Sequence, residues 1–140
     1  MVVRKRIPPK LLKPFVYGSQ CALDAGLVEW QGLLRLDDWA VSGRIVRAFD
    51  IDAGTHGRCS YIPCNRVATI LLLDPVDYGP GELFLQDHER TLVHELLHLH
   101  FHFVPAVDGV FEEPAIESVA CGLIALKRGV SRGCSVLVGV

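Results

Sequence analysis

One segment, residues 87–103, restricts the fold of this chain more than any other part of its sequence. Its apolar residues recur at helical spacing, and Pro105 and Gly109 end the pattern. At about 100° per residue, four of them fall on one side of a helix: Leu92, Val93, Leu96 and Leu97. Asp87 is a suitable N-cap. We therefore expect a helix from Asp87 to about Phe103 that packs this apolar face on the core.

The other side of the same helix carries the pattern His-Glu-x-x-His, with His94, Glu95 and His98. The two histidines are one turn apart and about 40° apart around the axis, so both imidazoles can bind one metal ion. Zinc binds histidine nitrogens at about 2.0–2.1 Å. Glu95 lies beside that position, where a base for an attacking water belongs. The spacing predicts a zinc site with His94 and His98 as ligands and Glu95 as the catalytic base.

A catalytic zinc site needs a third protein ligand. The next predicted helix, from Pro114 to Arg128, has Glu117 on an otherwise apolar face. A carboxylate there is costly unless it is paired or binds a metal. Glu113 lies one turn earlier on nearly the same face, whereas Glu112 points away. We expect Glu117 to be the third ligand, with Glu113 as the alternative.

The two remaining histidines of the helix predicted over residues 87–103 are not expected to bind the ion. His102 lies about 12 Å along the axis from His94, which is too far for two ligands of one ion. His100 points toward the apolar side, where a structural role is expected.

The pattern upstream predicts one helix and about three strands. Apolar residues recur every three or four positions between Ser19, a suitable N-cap, and Leu34. Alternating or β-branched runs predict strands over Trp39–Phe49, Arg58–Ile62 and Val67–Leu73, and Pro63 places the second at an edge. Strands followed by helices indicate an α+β fold.

Composition restricts the remaining classes of protein. The chain has 140 residues, of which 50% are apolar, and a net charge of −2. This suits one domain over residues 1–140, with a flexible basic N-terminus (1–14) and a C-terminal tail (130–140). No apolar run approaches the roughly 20 residues of a membrane span, and we expect no secretory signal. We expect no membrane or nucleic-acid partner, and the odd count of five cysteines favours the reducing cytoplasm.

A family resemblance adds to these predictions. The run Thr91-Leu92-Val93-His94-Glu95-Leu96-Leu97-His98-Leu99, followed by Glu117-Ser118-Val119-Ala120, resembles the zincin metallopeptidases. Within them it is similar to the gluzincins of minigluzincin or phage type. The resemblance covers residues 67–127 and implies a small zincin-like domain with one zinc ion per chain and a glutamate ligand on the helix after the histidines. Thermolysin-like members place an aspartate four residues after that glutamate to orient the first histidine, where this chain has Cys121.

The leading functional hypothesis is a zinc-dependent metallopeptidase that acts on a peptide or protein substrate. Glu95 would take a proton from the attacking water and pass it to the leaving amine. An edge strand, either Arg58–Ile62 or Val67–Leu73, would hold the substrate extended. Three residues are open candidates for stabilising the oxyanion: Tyr61, Tyr78 and His102.

The alternative is a non-catalytic zinc-binding module, regulatory or interacting, that keeps the zincin fold. Glu95 argues against it, because a structural site has no need of a base beside the ion. A weaker hypothesis concerns the tail after Gly129, in which the Cys134 thiolate would fill the open zinc position and hold the enzyme latent.

Overall fold

The computed structural model describes residues 15–79, 86–103 and 109–129, and it confirms the α+β class. The elements follow one another as α1 (Gln20–Leu33), β1 (Ala40–Val46), β2 (Gly57–Ile62), β3 (Val67–Leu73), α2 (His88–His100) and α3 (Gly109–Lys127). Within those described ranges, no helix is long and apolar enough to cross a membrane. The predictions for residues 1–14, for the tail 130–140 and for Cys134 lie outside the described residues.

The three strands form one mixed sheet in the order β1-β3-β2. β1 runs parallel to β3, and β2 runs antiparallel to it. The predicted edge position of β2, which ends just before Pro63, is confirmed. The alternative prediction, that Val67–Leu73 is the edge that binds the substrate, was wrong, because this strand is hydrogen-bonded on both sides. Among the two alternatives, only β2 can accept an added strand.

The core lies between one face of this sheet and two helices. α1 packs on β1, and α2 packs on β2 and β3, while α3 packs against α2. The buried side chains include the apolar faces predicted from the sequence: Leu23, Leu27, Trp30, Leu92, Val93, Leu96 and Leu97. α1 approaches β1 closely at Gly43, where a Cβ would lie only 2.9 Å from Leu27 Cδ1.

The first strand is shorter than predicted. It ends at Val46 rather than Phe49, and Ala48–Asp50 forms a 3₁₀ helix. The Asp77 carboxylate accepts a hydrogen bond from the Ala48 backbone N–H at 2.9 Å, so it binds a donor that would otherwise continue the strand. The contact comes from a segment 29 residues away, so the sequence pattern of the strand itself cannot predict it.

The helix that carries His94 and His98 begins as predicted and ends early. Asp87 caps α2 through a hydrogen bond that its carboxylate accepts from the Arg90 N–H at 3.1 Å. α2 stops at His100 rather than near Phe103, because the Phe101 N–H turns back to the His98 carbonyl at 3.1 Å.

The last helix begins earlier than predicted. α3 starts at Gly109, so Pro114 lies inside it instead of in its first turn, and the helix ends at Lys127. Proline there removes one helical hydrogen bond, to the carbonyl of residue 110, and the helix continues past it. The early start brings Glu112 and Glu113 onto the helix that packs beside α2.

Candidate metal centre

α2 presents His94 and His98 on the side opposite its buried leucines. Their side chains are 14% and 20% exposed, and their ring centroids are 5.2 Å apart. The histidines belong to one helix that is capped at its start and anchored by its apolar face. Their relative position therefore follows from local geometry alone.

α3 brings a carboxylate between the two rings. One Glu113 oxygen lies 3.0 Å from His94 Nε2, and the other lies 2.9 Å from His98 Nε2. One ligand atom each from His94, His98 and Glu113 lie within 4.8 Å of one another. Ligand atoms around tetrahedral zinc are about 3.4 Å apart for bonds of about 2.0–2.1 Å. Small side-chain adjustments would bring these three atoms to that spacing.

Two further carboxylates contact the opposite nitrogens of the same rings. Glu117 Oε2 lies 2.6 Å from His94 Nδ1, and Glu112 Oε1 lies 3.2 Å from His98 Nδ1. An ionised carboxylate only accepts hydrogen bonds, so each Nδ1 donates its proton. The expectation that Glu112 points away was wrong, because α3 begins beside His98 and a carboxylate in its first turn reaches that ring.

The donor set fits a divalent cation. With both Nδ1 atoms protonated, contacts from Glu113 to the two Nε2 atoms would require a second proton, and hence a positive charge, on each ring. A cation bound between these atoms would supply that charge in place of a second proton on each ring. Two imidazole nitrogens and a carboxylate are ligands that zinc accepts.

Glu95 is buried beside this group, with 8% of its surface exposed. Burial raises the pKa of its carboxyl above the ordinary value, and the neighbouring His94 and His98 partly offset that rise. β2 covers it at Gly57, where a Cβ would lie 2.4 Å from Thr91 Cγ2 and 3.1 Å from Glu95 Oε1. Only a residue without a side chain allows the strand to pass this close.

An open cleft of about 260 Å³ adjoins these residues. The residues that line it come from the start of β2 and the loop before it, from α2 and the segment before it, and from α3: Thr55, His56, Gly57, Gln86, Arg90, Thr91, His94, Glu95, Glu113 and Glu117. Sequence reasoning missed Arg90, although its position four residues before His94 places it on the same face. It also missed His56 and Gly57, for which no local signal exists.

The three candidates for stabilising the oxyanion do not line this cleft. Tyr61 and His102 pack on Trp39, with ring centroids 6.4 Å and 5.7 Å from it. Tyr78 packs against His56 at 5.7 Å without lining the cleft.

His100 and His102 also have partners away from the metal-binding group, as expected, but His100 is exposed and does not lie on the apolar side of α2. His100 Nε2 lies 2.6 Å from the Leu34 carbonyl oxygen, and His102 Nδ1 lies 2.7 Å from the Leu99 carbonyl oxygen. Carbonyl oxygens accept, so both ring nitrogens donate.

The three residues of the predicted pattern, His94, Glu95 and His98, thus lie together on one side of α2. Glu113, the alternative in the sequence analysis, faces both Nε2 atoms. Glu117, the preferred ligand there, lies on the far nitrogen of His94. Comparisons with protein-family models, curated proteins and solved structures found no match to this chain.

Proposed function

We propose that this chain is a zinc-dependent metallopeptidase of the zincin type, with one zinc ion held by His94, His98 and Glu113. The observation that carries the proposal is the division of contacts around the two rings. Both Nε2 atoms face Glu113, while both Nδ1 atoms are held by other carboxylates. Histidines that bind metals are usually oriented in this way by hydrogen bonds to the other ring nitrogen.

Assigning Glu113 as the third ligand also accounts for the one departure from the gluzincin pattern. Thermolysin-like members have an aspartate four residues after the glutamate ligand, which orients the first histidine. Four residues after Glu113 stands Glu117, and its Oε2 lies 2.6 Å from His94 Nδ1. Cys121 then no longer occupies the orienting position.

The mechanism assigns a separate task to each of the chain's own residues. A bound zinc would polarise the scissile carbonyl and lower the pKa of a water in the cleft. Glu95 takes a proton from the attacking water and delivers it to the leaving amine. The burial of Glu95 suits this task, because a carboxylate with a raised pKa is a stronger base and accepts a proton from water more readily.

The edge strand β2 is proposed to position the substrate. It packs directly on the helix that carries Glu95, through the close contact at Gly57. An extended peptide can add to the outer edge of β2 through backbone hydrogen bonds. Peptides or proteins with an accessible extended segment are therefore the proposed substrates.

The proposed location is the cytoplasm. The four cysteines in the described part of the chain, Cys21, Cys59, Cys64 and Cys121, are free thiols. Free thiols are usual in a reducing compartment.

The test of catalysis is the substitution Glu95→Gln. The amide is nearly isosteric but cannot accept the proton, so we expect unchanged zinc content and a loss of peptide cleavage of at least about 100-fold. Mass spectrometry of a peptide library with both zinc-loaded proteins measures this. Equal cleavage by Glu95→Gln would reject the mechanism. A zinc-loaded wild type that cleaves no peptide would favour the non-catalytic module.

A further inference from the structure

Glu117 uses its two carboxylate oxygens for different partners. Oε2 contacts His94 Nδ1 at 2.6 Å. Oε1 forms an ion pair with Arg90 Nε, 3.3 Å away, and accepts a hydrogen bond from the Cys121 thiol at 3.5 Å. Rotation of the carboxylate, or of the side chain that carries it, would break contacts on both sides at once.

A carboxylate at this place needs such support. The Glu117 side chain is 44% exposed, so packing alone does not select one of its rotamers. A glutamate has three rotatable side-chain bonds, and a solvated one occupies many conformers. The contact that orients His94 is therefore only as well defined as the group that holds Oε1.

Arg90 is suited to hold it. It lies four residues before His94 on α2, so its side chain shares the face that presents the ring. The arginine side chain is only 27% exposed, which is less than the glutamate. Its planar guanidinium donates in fixed directions, whereas a lysine ammonium presents a point charge.

We propose that Arg90 is a positioning residue for the metal centre. By holding Oε1 of Glu117, it keeps Oε2 on His94 Nδ1, and the His94 Nε2 lone pair stays directed at the ion. This inference rests on the proposed zinc site and adds a residue that does not touch the ion. Arg90 lies in the first turn of α2, outside the His-Glu-x-x-His motif, so the metal centre would extend beyond that motif.

Electrostatic repulsion by itself predicts the opposite change in zinc affinity when Arg90 is removed. A guanidinium near the site repels a divalent cation, so its removal would strengthen zinc binding if positioning were unimportant. The two accounts therefore differ in the sign of the change, and a measurement of zinc affinity distinguishes them.

The experiment measures the Zn²⁺ dissociation constant by competition with a chromophoric chelator. We expect Arg90→Gln to weaken binding about tenfold, at the lower end of the range for groups that orient metal-binding histidines. Arg90→Lys keeps a cation that can reach Glu117 but loses the fixed donor directions, so it should recover only part of the loss. The matched control is Arg47→Gln, which removes a similar ion pair, with Asp77, and should leave affinity unchanged.

Two further readouts separate positioning from a general loss of structure. In the Co²⁺-substituted protein, Arg90→Gln should shift the visible absorption bands, because they report the orientation of the ligands. In a Glu117→Ala background, Arg90→Gln should cost nothing more, since its effect passes through Glu117. An additive loss would overturn the proposal.

An unchanged or tighter dissociation constant in Arg90→Gln, with wild type binding zinc normally, would also reject the role of Arg90 while leaving the metal site intact. A wild-type protein that binds no zinc would reject the metal site itself. The two failures are therefore distinguishable.

Discussion

Glu113 and Glu117 lie one turn apart on α3 and contact opposite nitrogens of the same ring, His94. A carboxylate that faces Nε2 can bind the same ion as the imidazole. A carboxylate at Nδ1 can affect the ion only by orienting the ring. Side chains of identical chemistry therefore have different expected roles.

Removing each glutamate in turn tests this difference. We expect Glu113→Ala to remove stoichiometric zinc, because it deletes a ligand, and Glu117→Ala to weaken zinc binding by only about 10–100-fold. Metal analysis of the purified variants, followed by chelator competition, measures both. A larger loss in Glu117→Ala would return Glu117 to the position of third ligand.

Gly57 sets the spacing between the edge strand β2 and the helix α2, which carries Glu95. An added Cβ would lie 2.4 Å from Thr91 Cγ2, so the strand or the helix must move. We expect Gly57→Ala to destabilise the fold by about 1–3 kcal/mol and to lower peptidase activity more than zinc affinity, because Glu95 is displaced. Chemical denaturation and steady-state kinetics measure the two effects.

Gly122 offers the matched control for this substitution. It lies in α3, and a Cβ there would meet nothing within 4 Å. Gly122→Ala should leave activity unchanged and increase stability by up to about 1 kcal/mol. If Gly57→Ala behaved in the same way, the close approach of β2 would have no role in placing Glu95.

At the scale of elements, an ion cluster joins the end of α3 to the start of α2. Glu89 is 3% exposed and accepts a hydrogen bond from Trp30 Nε1 at 2.9 Å. It also pairs with Lys127 and with Arg128, and Arg128 makes two hydrogen bonds to Asp87 at 2.8 and 3.0 Å. α3 is thus attached to α2 at both ends, by this cluster and by the glutamates of the candidate metal centre.

The cluster predicts a loss of stability in acid. Burial by itself would raise the pKa of Asp87 and of Glu89, but hydrogen bonds, chiefly from Arg128 to Asp87 and from Lys127 to Glu89, outweigh it and hold both below their ordinary values. The folded state therefore binds fewer protons than the unfolded state in this range. The contribution is complete above about pH 5 and disappears as the pH falls through the folded-state pKa values.

Arg128→Ala measures this contribution. We expect a loss of about 2 kcal/mol at pH 7, less than for a fully buried pair because Arg128 is partly exposed, and a flatter stability curve below pH 5. Denaturation between pH 7 and 3, with chelator present throughout, separates the effect from metal release. Arg58→Ala, which removes an exposed ion pair with Asp52, should follow wild type at every pH. Parallel curves for wild type and Arg128→Ala would exclude the cluster as the source.

At the scale of the whole molecule, the candidate metal centre concentrates negative charge between two helices. Glu112, Glu113 and Glu117 of α3 lie around two histidines of α2, and Glu95 is buried next to them. Without a cation these carboxylates repel one another, so a bound ion both satisfies the site and holds α3 against α2.

Zinc should therefore stabilise the entire fold. At a free concentration 1,000 times the dissociation constant, binding to the native state adds about 4 kcal/mol, and the melting temperature should rise accordingly and fall again with chelator. The double variant His94→Ala/His98→Ala should show no such shift. A shift of equal size in that variant would mean that the ion binds elsewhere.

The sequence by itself determined the features that depend on neighbours along the chain. Ser19 and Asp87 were identified as N-caps, the bounds of Val67–Leu73 were predicted correctly, and α2 separates an apolar face from a histidine face as predicted. Helical and strand periodicities act over a few residues, and a cap acts within one turn. Such features can be read without knowing what packs against them.

Tertiary structure decided everything that depends on how distant elements meet. The central position of β3, the early end of β1 and the contacts of Glu112 arise from partners far away in sequence. The preference for Glu117 over Glu113 came from the helical face alone, which cannot tell which nitrogen of His94 a carboxylate will reach. That depends on where α3 lies along α2, because a shift of about 1–2 Å between packed helices changes which atoms are in contact.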